Sequence, residues 1–104
     1  MGSSYDLRMG NRYAFTAELW EWEARANWFF VSLPLEASAE IRELPMPPRG
    51  FGSIPVRATI GSSAFATSIF PADERYALPV KRAVRDREGL EPGAQVEVEV
   101  ELLG

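Results

Sequence analysis

The chain of 104 residues contains neither cysteine nor histidine. Without cysteine there is no disulfide and no thiol nucleophile, which fits a reducing, cytoplasmic setting. Without histidine there is no Ser-His-Asp triad and no imidazole base, and zinc sites built from Cys and His are excluded. Carboxylates alone remain as metal ligands, for a hard, oxygen-rich site. No cofactor is expected. Long apolar runs are also missing. The longest, Trp28 to Val31, falls far short of the roughly 20 residues a membrane-spanning helix needs. The opening Met1-Gly2-Ser3-Ser4 lacks the apolar core of a signal peptide. Residues 1–10 are expected to be a disordered leader, with Met9 the natural start, and residues 11–104 a single domain.

Charge of positive sign is scarce. The net charge is −4, from 11 basic and 15 acidic residues. An acidic chain repels phosphate backbones at long range, so nucleic acid is an unlikely partner. The bases are unevenly placed, however. Lys81, Arg82, Arg85 and Arg87 crowd together, and Glu88, Glu91, Glu97, Glu99 and Glu101 follow them.

What is present reads mostly as strand. Tyr13, Phe15, Ala17 and Leu19 alternate with Ala14, Thr16, Glu18 and Trp20, the period of a half-buried strand. A turn at Glu23 to Ala26 leads to a second, aromatic-rich strand over Asn27 to Leu33. Pro34 ends it and opens a short helix with Ala37, Ile41 and Leu44 on one stripe. Pro45 to Pro48 stop that helix, and Arg49-Gly50-Phe51-Gly52 form a loop. Ile54, Val56, Ala58 and Ile60 face inward on a third strand. A turn at Gly61-Ser62-Ser63 precedes a fourth, with Phe65, Thr67 and Ile69 on one side. Pro71 to Arg75 read as a polar loop and Tyr76 to Leu78 as a short strand.

A second helix follows, with Pro79 at its first position and Val80, Ala83 and Val84 as its buried stripe. Gly89 and Leu90 are placed for a Schellman ending. The last strand turns Val96, Val98, Val100 and Leu102 inward and Glu97, Glu99 and Glu101 outward. The fold class is therefore mainly β: a small closed or half-open β-barrel of five to seven strands with two short helices at its ends, in the order ββαββ(β)αβ. Closure removes the exposed edges that such a β-rich chain would otherwise present.

Several stretches together resemble a known family. They are Phe15 to Trp22, Trp28 to Pro34, Gly50 to Gly61, Thr67 to Pro71 and Tyr76 to Arg85, closed by Gly89-Leu90. In this order they are similar to the domain-of-unknown-function 1905 family over about residues 13–102. The resemblance implies a small closed bacterial β-barrel, related to a superfamily that also holds antitoxin-like proteins. It implies no catalytic residues, because the family has no established activity. Ala64, Ala66 and Ala94 depart from the family pattern.

Candidate functional residues come from three places. Lys81 and Arg82, with Arg85, sit at the start of the second helix, where the macrodipole disfavours cations by about 0.3–1 kcal/mol each. An anion site made of these side chains and free helix N–H groups would explain them, and so would ion pairs with Glu97 or Glu99. Trp20, Trp22 and Trp28 gather at one hairpin, either as packing or as a groove wall, with Trp22 the ring least needed by the core. Arg57 and Thr67 could orient a small anion at a barrel mouth or form solvated cross-strand pairs. Glu21 and Glu23 read as solvated carboxylates rather than a catalytic pair. The expected function is a non-enzymatic barrel that binds a small anionic or aromatic ligand, or a peptide of a partner protein. The alternative is an antitoxin-like or regulatory nucleic-acid-associated protein.

Overall fold

The computed structural model describes residues 5–44 and 52–103. The elements are β1 (Tyr5–Met9), β2 (Arg12–Glu21), β3 (Phe29–Ser32), α1 (Leu35–Arg42), β4 (Ile54–Ile60), β5 (Ser63–Ala72), β6 (Arg75–Pro79), α2 (Arg82–Glu88) and β7 (Gln95–Leu102). The strands follow the order β1-β2-β3-β6-β5-β4-β7, and β7 returns to pair with β2. Six strands, β2 to β7, thus close an antiparallel barrel, as expected. β1, which lies within the stretch read as a leader, pairs with the first half of β2 outside that ring. The expected proline stop and the loop before Gly52 fall on residues 45–51, outside the described residues.

Closure follows from alternation. On the inner face of the β2–β7 ladder Tyr13 lies beside Val100 and Phe15 beside Val98, and these four, with Leu19 and Val96, are buried. Val56, Ala58 and Ile60 complete that wall from β4. The interior is filled by side chains. Complete burial of a side chain such as Leu19 contributes about 1.5–3 kcal/mol. Among the described residues no buried side-chain nitrogen or oxygen lacks a hydrogen-bond partner.

The helices sit at opposite ends of the barrel. α1 packs on the start of β6, where the buried Ser38 hydroxyl accepts the Tyr76 N–H at 3.0 Å. Ala37 and Ile41 insert from α1 into the core. α2 crosses the other end, from the β3–β6 wall to the β4–β5 turn. Its seat there is Glu88, which accepts hydrogen bonds from the Ser63 and Ser62 hydroxyls at 2.6 and 3.2 Å. Its C-terminus is the expected Schellman motif. Gly89 is left-handed at φ 65°, Leu90 N–H donates to Arg85 C=O at 2.9 Å, and Leu90 packs against the core.

Three boundaries differ from the sequence reading. β3 starts at Phe29, because Asn27 takes a left-handed φ of 71° and keeps the hairpin loop open. The polar loop expected over Pro71 to Arg75 shrinks to Asp73-Glu74, with Asp73 at φ 58°, while Pro71 and Ala72 stay paired with Tyr76 and Arg75. Asp tolerates that backbone better than most residues. Pro79 ends β6 opposite Phe30 instead of opening α2, and Val80 N–H extends the ladder to Phe29 C=O at 2.9 Å. α2 therefore begins later, with Lys81 as its cap. That shift in phase leaves Ala83 exposed, where the sequence reading buried it, while Val80 and Val84 are buried.

Candidate functional site

Where β3 and β6 hand over to α2, the outside of the barrel is indented by a groove of about 750 Å³. One wall is Trp28 and Phe30. The other is Lys81, Arg82 and Arg85, with Asp86 beside them. Chain geometry forces the meeting. The β3–β6 pairing brings Phe30 opposite Pro79, so the residues just after Pro79 emerge against those just before Phe30.

The three cations differ in their state. Arg82 is largely exposed, and its Nε lies 3.6 Å from the Asp86 carboxylate on the next turn. That exposed pair offsets the unfavourable position of Arg82 by little. Arg85 is held. Its guanidinium lies 4.0 Å from the centre of the Phe29 ring, and its Nε donates to Val80 C=O at 3.2 Å. Lys81 is exposed. Among the described residues neither Lys81 nor Arg85 is paired with a carboxylate. The ion pairs across the barrel wall do not form: Glu99 lies 3.9 Å from Arg12 instead. Of the first-turn backbone donors, Val84 and Arg85 N–H both go to Lys81 C=O at 3.0 Å and are not free for an anion.

The aromatic wall is continuous. Trp20 stacks on Phe30 at 5.0 Å, Trp28 lies 6.5 Å from Phe30, and Trp22 lies 6.1 Å from Trp28. Arg25 sits 4.3 Å from the Trp28 ring centre. Trp20 also donates its indole N–H to the Ser32 hydroxyl at 3.0 Å. Trp22 and Trp28 are each 44% exposed. Trp28 lines the groove; Trp22 backs it and faces a separate hollow beside Glu21 and Glu23. Glu21 accepts the Asn27 N–H at 2.9 Å, so it shapes the hairpin loop.

Of the residues singled out from the sequence, Lys81, Arg82 and Arg85 therefore come together. Arg57 and Thr67 do not join them or each other. Thr67 lies opposite the inward-facing Val56, and Arg57 is one residue further along β4 on the outer face, between Ala66 and Glu101. They point to opposite sides of one sheet.

Residues 15–100 match a known sequence family, described as Domain of unknown function (DUF1905). The chain belongs to the DUF1905 family. In this DUF1905 domain the matched residues run from Phe15 in β2 to Val100 in β7 and include both walls of the groove. No curated protein matches the chain. Among the described residues no three acidic side chains gather where they could hold a metal ion. No described helix is long and apolar enough to cross a membrane.

Phe30 and Asn27 also line the groove although the sequence does not single them out, and of the three tryptophans it is Trp28, not Trp22, that lines it. One signal was available: an apolar Trp28-Phe29-Phe30-Val31 run with no alternation must place aromatics on both faces of its strand. Phe29 then faces inward and Phe30 outward.

Proposed function

We propose that this DUF1905 domain is a non-enzymatic binding module, and that the groove between β3 and α2 receives an anionic ligand. The observation that carries the reading is the pair of uncompensated cations, Lys81 and Arg85, set against the aromatic wall of Trp28 and Phe30. Apolar walls with a few convergent charged groups are the usual make-up of a small-molecule site, and the groove has the usual size. A peptide that presents the same acid would use the same contacts. The lack of Cys and His leaves the groove without a thiol nucleophile or an imidazole base.

The nucleic-acid reading draws less support. Arg82 is matched by Asp86, and the chain as a whole carries a net charge of −4, which repels a phosphate backbone. A thermal-shift screen against organic and inorganic anions tests the binding reading. A raised Tm with at least one anion is expected, and its loss in Lys81→Ala/Arg85→Ala. No shift with any anion, or the same shift in the double variant, contradicts it.

A further inference from the structure

The binding reading leaves the chemistry of the ligand open, and Arg85 narrows it. Its guanidinium is fixed from two directions, by the Phe29 ring and by the bond from Nε to Val80 C=O. Only the two terminal nitrogens remain, and they have no partner among the described residues. Two parallel N–H groups on a planar, immobilised fork match two oxygens of a carboxylate or a phosphate. Ordering a free arginine side chain costs binding energy, and here that ordering is made in advance.

Asp86 bears on the same choice. It lines the groove beside the three cations. A dianionic phosphate carries more charge and a third oxygen towards that carboxylate, whereas a carboxylate monoanion carries neither. Trp28 supplies the second half of the selection. Its ring is nearly half exposed at the groove although Trp22, Phe30 and Arg25 surround it. A ring of that size left open beside a cation suits a flat aromatic body.

Building on the anion-binding reading, we propose that the groove selects an aromatic carboxylate: Arg85 takes the carboxylate through its terminal nitrogens, Lys81 adds the second positive charge, and Trp28 packs against the ring. Val80 and Phe29 act through Arg85 as positioning residues.

Calorimetric titration of the whole chain with four probes tests this: 2-naphthoate, its neutral amide, 2-naphthyl phosphate and acetate. Naphthoate is expected to bind at least tenfold more tightly than the amide or acetate, and more tightly than the phosphate. Arg85→Lys keeps the charge but loses the fork, so at least a tenfold loss for naphthoate is expected, with unchanged affinity in Arg57→Ala. Trp28→Ala is expected to weaken naphthoate at least fivefold. Melting curves of each variant separate loss of the site from loss of the fold. Equal binding of the amide, tighter binding of the phosphate, or an Arg85→Lys protein that stays folded and binds naphthoate as wild type does overturns the proposal. If the phosphate alone binds, the anion-binding reading stands and the carboxylate assignment falls. If no anion binds, both fall.

Discussion

Glu88 shows how a single residue anchors the cationic helix. It accepts two serine hydroxyl bonds from the β4–β5 turn. The Ser63 bond, foremost, holds its carboxyl below the ordinary value; partial burial opposes this, and the Ser62 bonds and nearby Arg87 add to it. A depressed folded pKa stabilises the fold at pH values above the unfolded one, near 4.3. That contribution is lost as pH falls through the folded value. Wild type should therefore lose its stability advantage over Glu88→Gln between about pH 5 and the depressed pKa, as read by urea denaturation at stepped pH. Gly61 belongs to the same contact. Its φ is 59°, and a Cβ there would fall on the Glu88 carboxylate. Gly61→Ala should cost about 1–3 kcal/mol by the same measurement. None of this latch was legible in the sequence, where Glu88 is one acid among many, because only the fold brings residue 88 to residues 61–63.

Elements were legible in proportion to the strength of their local signal. β7 alternates strictly through Val96, Val98 and Val100, and the structure follows it residue by residue. The end of α2 was equally readable, since glycine followed by leucine suits a Schellman motif. Its start was not. Pro79 fits the first turn of a helix, but pairing with Phe30 holds it in the sheet, and a tertiary ladder outweighed a local preference. That displacement makes Lys81 the cap and sets the phase of Arg85. Gly89→Ala, at φ 65°, should cost about 1 kcal/mol in equilibrium unfolding. Leu78, fully buried in β6 beneath the groove wall, should cost about 2–5 kcal/mol when cut to Ala, again by denaturant titration.

At the scale of the whole molecule, closure joins the first ring strand to the last: β2 pairs with β7 from Arg12–Glu101 to Glu18–Gln95. Alternation and turns implied a barrel but could not give this register, which depends on residues far apart in sequence. The groove has the same origin. Its aromatic wall comes from residues 28–30 and its cations from residues 81–85, and only the β3–β6 ladder brings the two together. The basic cluster could thus be found from the sequence, whereas its aromatic partner could not be assigned between Trp22 and Trp28. The most direct test of the site is an amide and indole NMR titration with 2-naphthoate. Saturable shifts are predicted at the Trp28 indole and at the amides of residues 28–30 and 80–86, with Arg57 and Thr67 unmoved. Shifts centred on β4 and β5, or none anywhere, would contradict the account.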